Sequence, residues 1–107
     1  MSQIIYIKTE QEFDKLTESE NLLVVKFGAS WCGPCKLIKP QLEKLLETTN
    51  DISIIDIDVD DASESEWTWA SDIDNLPTFR FIKNGVQLEE YYGSKIDKIQ
   101  DIIKKLI

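Results

Sequence analysis

Residues 28–36 read GASWCGPCK. They hold the only two cysteines of a 107-residue chain, Cys32 and Cys35, with Gly33 and Pro34 between them and Trp31 in front. Two thiols within one helical turn admit three roles: a structural disulfide, half of a metal site, or a redox-active pair. The metal role is short of ligands. A closed zinc site takes four, and the chain has no third thiol and no histidine, so only carboxylates or a second chain could complete it. The redox role fits the local physics. A Cys-x-x-Cys pair at a helix start puts both sulfurs on one face, within bonding reach. Cys32 meets the unpaired N–H groups and the positive dipole end of that helix, which favour the reactive thiolate. Pro34 has no N–H to lose in the first turn, and its ring stiffens it. Trp31 is placed to shield the pair while leaving the first sulfur exposed. In this order Cys32 is the expected nucleophile toward a partner's disulfide, and Cys35 the thiol that releases the mixed disulfide.

Composition narrows the setting. Hydrophobic residues make up 42% and charged residues 30%, the balance of a globular chain, and the length suits one domain with its own core. A net charge of −8 argues against nucleic acid or an anionic membrane as partner. Without histidine, Cys–His dyads and imidazole-based acid–base catalysis are excluded. No stretch approaches the roughly 20 apolar residues of a membrane span. The opening MSQIIYIKTEQEFDK lacks the cationic start and apolar run of a secretory signal. A reducing, cytoplasmic compartment is therefore expected, where stable structural disulfides are rare.

Outward from the cysteines, periodicity sets the elements. Ile4–Lys8 reads as a strand. Thr9 and Glu12 then form a capping box for a helix with Phe13 and Leu16 on its apolar face. Asn21–Gly28 is a nearly continuous apolar run, as in a strand covered on both sides. The helix that starts at the cysteines runs to about Thr49, with Ile38, Leu42, Leu45 and Leu46 as its buried stripe and Pro40 as a kink. Ile52–Val59 is a third strand. Residues 60–73 read as a short helix and a loop. TFRFIK and VQLEEYY flank Asn84-Gly85, a hairpin signal. Ser94 and Asp97 are expected to cap a last helix bearing Ile96, Ile99, Ile102, Ile103 and Leu106. Strands joined through helices should be parallel with right-handed crossovers, and the hairpin adds an antiparallel pair. The result is a mixed five-stranded sheet flanked by four helices.

The WCGPC motif, set between a strand and a long proline-containing helix, resembles the active site of the thioredoxin family. The likeness continues through LPTFRFIKNG and Gly93, and covers essentially the whole chain as a single domain, residues 1–107. It implies the thioredoxin fold, with sheet order β1-β3-β2-β4-β5, and reduction of protein disulfides. It also implies clients that carry disulfides, recharging by a thioredoxin reductase, NADPH used on that enzyme only, no cofactor or metal here, and a monomer. Pro77 matches the family's cis-proline beside the cysteines. There the backbone of Leu76 can pair with an extended client segment as a short β-addition. Trp31, Gly33, Pro34, Leu76, Pro77 and Gly93 are the implied client-binding residues. A different class, a docking subunit without catalysis, would not need two thiols.

The chain departs from the family at Lys26, where a buried aspartate usually takes the proton of the second cysteine. An ammonium cannot accept one. Strand alternation puts Ile52, Ile54, Asp56 and Asp58 on one face, and in the thioredoxin order their strand lies beside that of Lys26. Bacterial members commonly carry a lysine at the place matching Asp56. Lys26 and Asp56 therefore resemble the same pair with its ends exchanged, and Asp56 would inherit the acceptor role. The bland alternative is that Lys26 snorkels to solvent. Gly28 should leave the floor of the site thin. Trp67 and Trp69 either pack a short helix onto the sheet or form an aromatic client patch. Asp58, Asp60, Asp61, Asp72 and Asp74 read as a solvated acidic rim.

Overall fold

A computed structural model describes residues 3–7, 9–60 and 73–107. The chain order is β1 (Gln3–Tyr6), α1 (Glu10–Leu16), β2 (Leu22–Gly28), α2 (Gly33–Thr48), β3 (Ile52–Asp58), β4 (Thr78–Lys83), β5 (Val86–Tyr92) and α3 (Ile96–Leu106). The sheet runs β1-β3-β2-β4-β5. β1 and β2 both lie parallel to β3, and β4 is antiparallel to β2 and β5. Three helices are found among the described residues, not four. The fourth was expected across residues 60–73, most of which lie outside the described residues, as do Trp67, Trp69, Asp61 and Asp72.

β2 is buried along its whole length, as its apolar run requires of a central strand. Alternation divides its side chains between two cores. Leu22 and Val24 join Ile52, Ile54, Phe79 and Phe81 under α2 and α3, which contribute Ile38, Leu42, Leu45, Ile99 and Ile103. Leu23, Val25 and Phe27 join Ile55, Ile57 and Ile82 under Phe13 of α1. Each such large side chain, fully buried, contributes about 1.5–3 kcal/mol. The expected stripe Ile96 to Leu106 meets the first core, with Ile96, Ile102 and Leu106 half-buried at its margin.

The hairpin turns at Asn84 and Gly85, with φ of 53° and 77°. Positive φ at both central residues is the geometry that matches strand twist and that Asn-Gly adopts most readily. The Asn84 N–H donates to the Ser19 carbonyl at 3.1 Å, tying the hairpin to the loop before β2.

Local signals hold less well at helix starts. Thr9 caps α1, accepting from the Glu12 N–H at 3.2 Å, but its hydroxyl also donates to the Glu12 carboxylate. The capping box is thus closed between the two side chains. The N-cap of α3 is Lys95, without a side-chain bond. Ser94 is one residue too early to cap, and Asp97 favours the first turn by its charge alone. β1 starts and stops earlier than its apolar run, at Gln3–Tyr6.

Candidate active site

The cysteines stand where β2 ends and α2 begins, at the carboxyl ends of the parallel strands. Cys32 is the N-cap of α2, and its Sγ accepts from the Cys35 N–H at 3.2 Å. The Cys32 N–H donates to the Ala29 carbonyl at 3.1 Å. The two residues are joined as a disulfide, with Cα atoms 5.3 Å apart. The first sulfur was expected to be exposed. In this oxidised form both residues are buried, Cys32 at 5% and Cys35 at 3%, because Ala29, Val59 and Leu76 pack around them.

Trp31, next to Cys32 in the chain, is 67% exposed. Its indole Nε1–H donates to Asp60 Oδ2 at 2.8 Å, and the Asp60 N–H donates to Asp58 Oδ1 at 2.8 Å. Asp60 is thus not simply a solvated rim residue. An indole N–H near the surface calls for an acceptor, but several acids in this region could supply one.

The loop before β4 forms the facing wall. The Leu76–Pro77 peptide is cis, and the Leu76 side chain packs on the cysteine cluster. Thr78 Oγ1 donates to the Asn75 carbonyl at 2.6 Å, and the Gly93 N–H donates to the Pro77 carbonyl at 3.0 Å. Gly93 has φ of 137°, and a Cβ there would stand 2.6 Å from the Tyr91 hydroxyl. That hydroxyl accepts from the Lys95 N–H at 3.3 Å. Gly93 therefore braces the proline loop from behind. A Cβ on Gly33, by contrast, would meet nothing within 4 Å.

Beneath the pair, Lys26 and Asp56 stand opposite each other in the β2–β3 ladder. Lys26 Nζ lies 3.4 Å from Asp56 Oδ2, with side chains 5% and 20% exposed. Both line a cavity of about 290 Å³ together with Gly28, Cys35, Lys39 and Tyr6. Lys39 Nζ sits 5.0 Å from the centre of the Tyr6 ring. A hydrogen bond with Tyr6, first of all, holds its pKa above the ordinary lysine value, and Asp56 and Glu43 add to that. The snorkelling alternative for Lys26 does not hold, since its side chain stays inside with an acid. Among the described residues no group of three or more His, Cys, Asp or Glu side chains could hold a metal ion. None of their helices is long and apolar enough to cross a membrane.

A disulfide on the first turn of a helix, faced by a cis-proline loop on a β1-β3-β2-β4-β5 sheet, defines a thiol–disulfide oxidoreductase. The thioredoxin family model matches residues 4–105. Thioredoxin of Gallus gallus is 43% identical over 88 residues, 82% of each chain. That of Ophiophagus hannah is 38% identical over 105 residues, 98% of each. The crystal structure of reduced Schistosoma mansoni thioredoxin pre-protein superposes with a TM-score of 0.87 at 37% identity, covering 98% of this chain and 99% of that one. The chain belongs to the thioredoxin family. It is a protein-disulfide reductase, working by exchange between its Cys-Gly-Pro-Cys thiols and disulfides.

Proposed function

We infer that Cys32 attacks and Cys35 resolves. The Cys32 thiolate attacks one sulfur of a client disulfide, and the client's other sulfur leaves as a thiolate. Cys35 then loses its proton and attacks the Cys32 sulfur of the mixed disulfide. The second client sulfur leaves, and Cys32 and Cys35 close as a disulfide. Two electrons have passed to the client. The observation that carries this order is Cys32 at the N-cap with its sulfur accepting the Cys35 N–H, a bond that stabilises negative charge on the first sulfur.

Asp56 is the acceptor for the Cys35 proton across the cavity that both residues line, and Lys26 holds its carboxylate. Trp31, Gly33, Pro34, Leu76, Pro77 and Gly93 form the client-facing surface. The open space at Gly33 and the exposure of Trp31 support contact with a partner there. An extended client segment would pair with the Leu76 backbone before the cis-proline. Recharging falls to a thioredoxin reductase that spends NADPH, with no cofactor on this chain. A cytoplasmic setting and a single monomeric domain complete the reading.

The test is trapping. Cys35→Ser should accumulate mixed disulfides with client proteins, visible as reductant-sensitive adducts by mass spectrometry, and Cys32→Ser should not. Trapping on Cys32→Ser alone would overturn the order. An insulin-reduction assay separates catalysis from a docking role.

A further inference from the structure

Lys26, the partner of Asp56, lines the same cavity as Cys35, and both reach Gly28. A Cβ built on Gly28 would stand 3.2 Å from Cys35 Sγ and 3.5 Å from Lys26 Cε. Both atoms therefore approach the same side of Gly28, which carries no side chain to keep them apart. Asp56 meets the same ammonium from β3 and is the more exposed of the two. The other charged or titratable groups on this cavity are Asp58 from β3, Lys36 and Lys39 from α2, and Tyr6 from β1. From β4 the residue opposite Lys26 is Phe79, which is apolar.

A disulfide carries no charge, whereas the reduced pair carries thiolate. An ammonium beside one sulfur therefore favours the reduced pair and does little for the disulfide. Stabilising the reduced form raises the reduction potential. We propose that Lys26 is an electrostatic partner of the Cys35 sulfur that makes this protein a mild reductant. It would be directed to disulfides at the oxidising end of the scale: exposed or strained bonds, and mixed disulfides between a protein and a small thiol. The inference rests on the dithiol exchange described above. For a mixed disulfide, two electrons from Cys32 and Cys35 break the target S–S bond. The products are one protein thiol, one free small thiol and the closed Cys32–Cys35 disulfide.

Equilibration of the full chain with reduced and oxidised glutathione near pH 7 gives the exchange constant. Ultraviolet thiolate absorbance against pH gives the ionisation of both sulfurs. Lys26→Met should favour the Cys32–Cys35 disulfide about tenfold more than wild type, about 30 mV for a two-electron couple, and one thiol should ionise at higher pH. Lys26→Arg should stay near wild type. Asp56→Asn removes the carboxylate that offsets the ammonium, so it should shift the constant the opposite way. Opposite signs are the signature of charge, because both variants break the same ion pair and a purely structural role would move them together. Shifts of the same sign, or Lys26→Met within twofold of wild type, would overturn the proposal. If Lys26→Met does not fold, Lys26→Met/Asp56→Asn leaves no unpaired charge. It must fall on the same side of wild type, or the proposal fails. A wild-type chain that does not exchange with glutathione disulfide at all would sink the dithiol reading itself, and this inference with it.

Discussion

Lys26 Nζ and Asp56 Oδ2 lie 3.4 Å apart, with the cation the more buried and the carboxylate the more exposed of the two. The two ends of this pair should therefore respond unequally to mutation. Asp56→Asn strands an ammonium in a buried strand, and such a loss costs about 3 kcal/mol or more. Lys26→Met removes the more buried charge and leaves a carboxylate that water can reach, so about 1 kcal/mol is expected. Denaturant midpoints of the two variants measure the asymmetry. A larger loss from Lys26→Met than from Asp56→Asn would contradict the asymmetry.

Gly28→Ala tests the thin floor. The added methyl would press on Cys35 Sγ at 3.2 Å, tighter than comfortable packing, and overpacking of this kind typically costs about 1–3 kcal/mol. Release of the mixed disulfide should slow, while the initial attack by Cys32 stays near the wild-type rate. Single-turnover kinetics with a labelled disulfide separates the two steps. Equal slowing of both would assign Gly28 a different role.

Gly93→Ala combines two penalties. Its φ of 137° is a backbone region L residues rarely adopt, and its Cβ would collide with the Tyr91 hydroxyl at 2.6 Å. A loss of about 2 kcal/mol or more is expected. The bond from the Gly93 N–H to Pro77 should loosen, so KM for protein disulfides should rise more than kcat falls. Unchanged melting temperature together with unchanged KM would remove the bracing role.

The Lys105–Glu89 ion pair, 2.8 Å long, ties α3 to β5. Its hydrogen bond to Lys105 holds the Glu89 carboxyl below its ordinary value of 4.5. A folded-state pKa that is depressed adds stability above the unfolded value, and that stability is lost as pH falls through the folded one. Glu89→Gln should thus lower the melting temperature slightly at neutral pH, with the difference from wild type closing as pH drops below about 4. Melting curves from neutral to strongly acidic pH test this. A gap that widens in acid would contradict the sign.

The faces of the sheet are legible in the sequence because they follow from periods that side chains cannot escape, whereas its strand order is legible only through the family resemblance that WCGPC and LPTFRFIKNG carry. β2 is continuous in apolar residues and so must be central. Asn84-Gly85 supplies the positive φ values of a tight hairpin. Period-two alternation puts Asp56 on one face with Ile52 and Ile54, and the strand order implied by the family resemblance sets that strand beside Lys26, where the register makes the two residues partners. The bond from Trp31 to Asp60 is not legible in this way, since Asp58, Asp60, Asp61, Asp72 and Asp74 are equivalent acceptors until the backbone is folded. Nor is the brace of Gly93 against Tyr91, which depends on a side chain two residues away folding back over the glycine. The cap of α3 at Lys95 rather than Ser94 is not legible either, since Lys95 makes no side-chain capping bond that a sequence could signal.

The sheet order leaves β1 and β5 each with one unpaired side among the described residues. Such a row of free N–H and C=O groups is a template on which separate chains can join into aggregates. β1 offers only four residues. β5 offers seven, with Val86 and Leu88 exposed, and is the greater hazard. It carries Glu89 and Glu90 in succession, one toward each face, each anchored by a cation of its own chain, Lys105 and Arg80. The register of β4 with β5 also shifts between Phe81 and Ile82, which bends the strand away from a flat edge. A second chain adding itself there would have to dehydrate two fixed ion pairs and follow an irregular strand, while approaching a molecule of its own net charge of −8. The outermost strand thus acts as a guard against self-assembly.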